Sequence, residues 1–266
     1  MFKARNILSS FIISCLLLFI PANEFQVFAE SPPQGGFSVP GQESLPQGYQ
    51  GEVSAPFVPS DISGLVAEFY ADTGVTLEAG TNVSNWADQS GNGNDYTATF
   101  SARPTFHSSP DRIQFNGMGN RLRSATFTLN QSFTRVFLIT PISWSANSFI
   151  CDGFTNQTTY MYQNNLSPEI RLTAGSSEPE HPGITIGVEA VLIGIWDRAS
   201  SQIIVDDGTP TVAGADIGAA NPAGITLGND AASNNGSAIS VRAEVVYNKV
   251  LSPSEITQIT DYFQTL

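Results

Sequence analysis

From Asp61 onward the chain is a succession of short runs rich in β-branched and aromatic residues, mostly bounded by Gly, Asn, Asp or Pro. The run LVAEFYAD (65–72) sets the pattern, with Leu65, Ala67 and Phe69 on one face and Val66, Glu68 and Tyr70 on the other. RIQFNG (112–117), FTRVFLIT (133–140), TYMYQN (159–164), EIRLTA (169–174), VLIGIWD (191–197), QIIVDDG (202–208), GITLGND (224–230) and ISVRAEVVYN (239–248) follow. Many short segments of this kind, separated by turn residues, predict an all-β fold of antiparallel strands packed as a sandwich. Asp207-Gly208 adds a hairpin signal, because a tight turn needs the positive φ that these residues tolerate. One helix is expected, at the end, in SPSEITQITDYFQTL. There Ser252 caps, Pro253 suits the first helical position and Glu255 completes a capping box. Ile256, Ile259, Phe263 and Leu266 recur at helical spacing and predict an apolar stripe docked on the strands.

The first 60 residues read differently. Lys3 and Arg5 precede an apolar run from Ile7 to Ile20, ended by Pro21, and Val27-Phe28-Ala29 resembles a small-residue cleavage site. Residues 1–29 therefore read as a secretory signal peptide, and a secreted, extracellular or surface-displayed protein is expected. The apolar run is short of the about 20 residues a spanning helix needs, so no membrane span is expected in the mature chain. An uncleaved anchor is the rival reading, and a lipoprotein processed at Cys15 a third. Residues 30–60, dense in Pro, Gly, Gln and Ser, carry no apolar periodicity and read as a linker. That leaves 61–266 as one folded domain. Cleavage after Ala29 removes Lys3, Arg5 and Glu24, taking the net charge from −13 to −14. It also leaves Cys151 as the lone cysteine, in an apolar strand-like run (NSFICDG) that predicts a buried, inert thiol. Nucleic acid is excluded as a partner on charge, since phosphate binding needs clustered Lys and Arg.

The stretch WADQSGNGNDYTA (86–98) begins D-x-S-x-N-G, like a calcium loop. A helix-loop-helix calcium loop requires a bidentate Glu at its twelfth position, and counting from Asp88 that position is Thr99. A calcium site here would rest on Asp88 and Asn92, with little other charge. As a turn the stretch reads better: Gly91 and Gly93 allow positive φ, Asn92 and Asn94 tolerate it, and Asp88 can accept the amides that follow.

The same residues carry a family resemblance. Trp86, Asp88 and Ser90–Asn94, then Arg103-Pro104, then Phe115 and Gly117 resemble the opening of laminin-G-like, concanavalin A-like lectin-glucanase domains. Glu244, Tyr247, Asn248, Leu251, Ser252 and Glu255 are similar to the end of such domains, and VLIGIWDRASSQIIVDDGT to their central hairpin. The resemblance spans about residues 61–266. It implies an antiparallel two-sheet jelly-roll sandwich with a short C-terminal helix, and a calcium site at the rim of some members.

Catalytic signatures of that fold are missing. No Glu is followed two residues later by Asp, so the paired-carboxylate strand of the glucanases is absent. Glu178 and Glu180 sit between prolines and read as a solvated loop. The two histidines, His107 and His181, also read as loop residues, and with one mature cysteine they make a zinc site improbable. Binding remains, with a glycan or other cell-surface ligand as partner. Candidate ligand-binding residues are Tyr160 and Tyr162 on one strand face, Trp144 in PISWSANS and Arg171 on a nearby strand. Aromatics stack on sugars and arginine donates directional hydrogen bonds. Their alternative place is the core, where most strand aromatics pack. A divergent hydrolase or lyase, and a structural or adhesive protein that binds other proteins, are the competing functional readings.

Overall fold

The computed structural model describes residues 55–164, 169–176 and 179–266. The expected signal peptide lies outside the described residues, as does the expected linker up to residue 54. The strands, in chain order, are β1 (Leu65–Tyr70), β2 (Val75–Glu78), β3 (Asn82–Trp86), β4 (Tyr96–Thr97), β5 (Thr105–His107), β6 (Arg112–Asn116), β7 (Leu122–Ser124), β8 (Phe133–Ser143) and β9 (Ser148–Gly153). They continue with β10 (Tyr160–Gln163), β11 (Ile170–Thr173), β12 (Glu180–His181), β13 (Ala190–Trp196), β14 (Gln202–Val205), β15 (Thr211–Val212), β16 (Ile225–Leu227) and β17 (Ala238–Tyr247). Helix α1 (Pro253–Gln264) closes the chain.

All strand pairs are antiparallel, and they join into one almost closed, barrel-like ladder. One stretch runs β15-β14-β13-β8-β17, with β1 and β6 sharing the far edge of β17. It turns through β5 and β3 into a second stretch, β4-β7-β16-β9-β10-β11-β12. At the other end the two stretches meet where the Trp196 indole on β13 donates to the carbonyl of Thr173 on β11, at 3.1 Å.

Two apolar clusters explain the sequence patterns. The main core fills the inside of the ladder with Phe69, Trp86, Phe115, Phe137, Ile150, Met161, Leu172 and Trp196 among its residues. The second lies outside β8, β13 and β17, where Val136, Leu138, Ile193 and Val245 meet Ile256, Ile259 and Phe263 of α1. Strands buried on both faces need apolar residues at every position, which is why these three lose clean alternation. The Ser252–Glu255 capping box forms as expected, with Ser252 N–H donating to Glu255 Oε2 at 2.8 Å. Leu266 departs from the expected stripe: it lies past the end of α1 and is exposed.

A salt bridge crosses the main core. Arg135 on β8 and Glu244 on β17 sit at core-facing positions, each almost wholly buried. Arg135 Nε donates to Glu244 Oε1 at 2.8 Å, and Tyr96 donates its hydroxyl to Glu244 Oε2 at 2.9 Å. The guanidinium then spans the core to the carbonyls of Asp152 (3.1 Å) and Thr226 (3.2 Å) on the opposite stretch. Burial pushes the Glu244 carboxyl up, while Arg135 and Tyr96 pull it back. Cys151 lies beside this network, fully buried, and burial pushes its thiol up to about 12, so it is inert at neutral pH.

Candidate functional site

The glycine-rich stretch after Trp86 is a staple. A register shift between Leu65 and Ala67 frees the Val66 carbonyl from the β1–β17 ladder. Ser90 Oγ, Asn92 Nδ2 and Asn94 Nδ2 donate to that carbonyl at 3.3, 3.1 and 2.9 Å. Asp88 completes the clamp: Oδ1 accepts the amides of Glu68 and Ser90, and Oδ2 accepts the amide of Asn94, each at 2.9 Å. Gly91 and Gly93 take the positive φ values (82° and 73°) the loop needs. Asp88 and Asn92 are thus spent on holding β1, and no group of three or more metal-ligating side chains occurs among the described residues.

Of the four expected ligand-binding residues, Trp144 belongs to the main core, with its Nε1 donating to the Ile184 carbonyl at 3.3 Å. The other three come together on the outer face of the second stretch. Met161 enters the core, so its neighbours Tyr160 and Tyr162 point the other way. Phe149 of β9 joins them, with ring centroids 4.7 Å from Tyr160 and 5.6 Å from Tyr162. The two tyrosine rings are 5.3 Å apart. Arg171 is in register with Tyr162 on one side and Glu180 on the other. Its Nε donates to Glu169 at 2.6 Å and its Nη2 to Glu180 at 3.0 Å. The Glu180 carboxyl is pushed up by its hydrogen bond with the neighbouring Glu169. Phe149 and Tyr162 are buried, so the half-buried Tyr160 is the ring that reaches the surface, flanked by a guanidinium and two carboxylates.

Two placements differ from the sequence expectation. Glu180 and His181 form a two-residue strand and His107 ends β5, where loops were expected. Pro179 and Pro182 limit β12 to its two residues at the end of the ladder, which is where proline is tolerated. His181 Nδ1 accepts the Gly183 amide at 3.0 Å, and burial pushes its pKa down.

Polar loops cover the centre of this face. Asp152 accepts the amides of Gly153, Gln157 and Ala231 at 2.7, 2.8 and 3.1 Å, tying down the loops on either side. Asp230 does the same within its own loop, accepting the amides of Ala232 and Asn234 at 3.1 and 2.9 Å. Sequence reasoning overlooked Arg121 and Arg123. The signal for the arginines was present: alternation in RLRS sends both to the face opposite the buried Leu122. Larger hollows lie elsewhere, such as one of about 510 Å³ beside the N-terminus of α1, lined by Gln202, Asp207, Lys249 and Glu255 without an aromatic ring. No helix among the described residues is long and apolar enough to cross a membrane.

No family model matches the sequence, and no curated protein matches it. Solved structures do. A sialidase from Trypanosoma rangeli in complex with the inhibitor DANA superposes with a TM-score of 0.57 at 17% identity, over 79% of this chain and 35% of that one. The binding domain of Paraclostridial Mosquitocidal Protein 1 gives 0.56 at 12% identity, over 77% of this chain and 53% of that one. Domain 4 of an extracellular arabinanase from Geobacillus stearothermophilus, in complex with arabinotriose, gives 0.52 at 13% identity, over 74% of this chain and 98% of that domain. The chain thus spans about a third of the sialidase it resembles. At these identities the likeness defines a β-fold shared with these proteins.

Proposed function

We propose that the protein is a non-catalytic carbohydrate-binding module, secreted or displayed at the cell surface, built as a two-layer, concanavalin A-like jelly roll. The observation that carries this reading is the half-buried Tyr160 ring on the outer face beside Arg171, backed by the buried rings of Phe149 and Tyr162. Ring faces take the apolar faces of sugars, and the flanking charged groups supply directional hydrogen bonds to hydroxyls. The arabinanase domain solved with arabinotriose and the toxin's binding domain lend support from the fold side. Extracellular placement rests on the signal-like residues 1–29.

A hydrolase is the reading to weigh against it, because Glu169 and Glu180 stand side by side. Glycoside hydrolysis places its two carboxyl groups about 5–5.5 Å apart for retention, or roughly 6.5–9.5 Å for inversion. Glu169 and Glu180 instead hydrogen-bond to each other and share one guanidinium, which leaves no room for a sugar between them. The test is calorimetric titration of the protein with arabinotriose and a panel of neutral oligosaccharides selected on a glycan array. Tyr160→Ala should weaken binding about five- to tenfold, the loss expected from one stacked ring. A folded protein that binds no saccharide refutes the proposal, and release of reducing sugar turns it into an enzyme.

A further inference from the structure

A second feature of the same outer face lies three strands from Tyr160. Arg123 on β7 and Arg121 just before it line a cleft of about 250 Å³, closed by Thr97, Ala98, Thr99, Ser124 and Phe154. Both guanidiniums are held in place. Arg123 lies 3.6 Å over the centroid of the Phe154 ring and donates Nη2–H to the Phe154 carbonyl at 2.6 Å. Arg121 donates to the Ala231 carbonyl.

Their pairing is unusual for this chain. Of the nine basic side chains among the described residues, six pair with a carboxylate: Arg103, Arg135, Arg171, Arg198, Arg242 and Lys249. The other three, Arg112, Arg121 and Arg123, do not, and of these Arg121 and Arg123 line one cleft, although the protein carries 24 acidic residues and a net charge of −13. Asp152 contributes to the field at Arg123, but its carboxylate accepts backbone amides instead. Two adjacent guanidiniums repel, and burial together with Arg121 pushes the Arg123 pKa down. An anion placed between them would relieve both costs and take donors that only backbone carbonyls now use. Packing alone does not call for this, since leucine or glutamine would fill the same surface without the repulsion.

We propose that the Arg121–Arg123–Phe154 cleft binds the anionic group of an acidic saccharide, a carboxylate or sulfate carried on a sugar ring. This rests on the carbohydrate reading above and deepens it. Single sugar residues fit the volume, since extended ligands occupy roughly 300–1,000 Å³. Phe154 offers a ring beside the charge pair, and Thr99 an exposed side chain at the mouth. The cleft is a local exception to a net negative charge that repels polyanions at large.

The test titrates the protein with an oligogalacturonate, a heparin-derived oligosaccharide and a neutral oligosaccharide of matched length. The first two arms separate carboxylate from sulfate. Arg121→Gln and Arg123→Gln are compared with wild type, after melting curves confirm the fold. Thr97→Glu, which leaves both arginines in the sequence but places a negative charge directly across the β4–β7 ladder from Arg123, serves as a second probe. Binding of one acidic arm should exceed the neutral arm, weaken with added salt, and fall about tenfold or more in each variant, as loss of a charge-assisted hydrogen bond requires. Equal binding of acidic and neutral sugars, or acidic binding that survives both Arg121→Gln and Arg123→Gln, overturns the cleft assignment and leaves the Tyr160 patch standing. Absence of binding to every saccharide overturns both.

Discussion

Replacing Glu244 with leucine tests the account of the core most sharply. The carboxylate is fully buried and accepts Arg135 Nε at 2.8 Å, Arg135 Nη2 at 2.7 Å and the Tyr96 hydroxyl at 2.9 Å. In Glu244→Leu the guanidinium remains buried with only the carbonyls of Asp152 and Thr226 and the Tyr96 hydroxyl as acceptors. An uncompensated buried charge of this kind costs about 3–5 kcal/mol. Domains of this size hold about 5–15 kcal/mol in all, so the loss is a large fraction of total stability. It corresponds to a fall in Tm of about 6–20 °C, at roughly 2–4 °C per kcal/mol. Urea unfolding followed by tryptophan fluorescence is a suitable assay, because Trp86, Trp144 and Trp196 are all buried reporters. Arg135→Met added to Glu244→Leu should recover most of the loss, since apolar residues of similar volume replace buried ion pairs at little cost. A single substitution costing under about 1 kcal/mol, or a double variant no better than the single, would refute the reasoning.

Asp88→Ala should cost about 1–3 kcal/mol by orphaning three amides and loosening the clamp on β1, read as a drop in Tm, and neither calcium nor a chelator should move the wild-type Tm. Gly228→Ala should unfold or fail to accumulate, because a Cβ there would collide with the Phe115 ring at a φ of 81°. Gly93→Ala, at a φ of 73° but facing open space, should cost only about 1–2 kcal/mol on thermal melting. Burial pushes the Glu68 carboxyl up, with the charge of Asp88 adding to it and the Tyr70 hydroxyl opposing. A raised folded pKa gives stability that is complete below the ordinary value of 4.5 and is lost as pH climbs through the folded value. The wild type should therefore lose more Tm between pH 5 and pH 8 than Glu68→Gln does, and an equal slope in both removes Glu68 as the cause.

Much of the fold was legible because strands that bury one face must alternate. LVAEFY became β1, RIQFN became β6, and ISVRAEVVY lies within β17, with boundaries shifted by a residue or two. The helix was equally plain, since its cap and stripe are local signals. Short strands such as β4, β12 and β15, of two residues each, leave too few positions for a period to register. Arg135 and Glu244 stood as opposite charges inside otherwise apolar runs, yet nothing local says that β8 and β17 are neighbours. That pairing is a property of topology. The same limit applies to the site. Tyr160, Tyr162 and Arg171 share a patch because β10 and β11 are adjacent, which their sequence proximity suggested. Trp144 sits near Ile184, far along the chain, and its burial could not be read from PISWSANS.

The central claim, that the outer face grips sugars without cutting them, is tested most directly by the structure of the protein with a bound oligosaccharide. The account predicts a sugar ring against Tyr160, hydrogen-bonded near Arg171, with every glycosidic bond intact. A ligand lodged away from that face, or found cleaved beside Glu169 and Glu180, would contradict it.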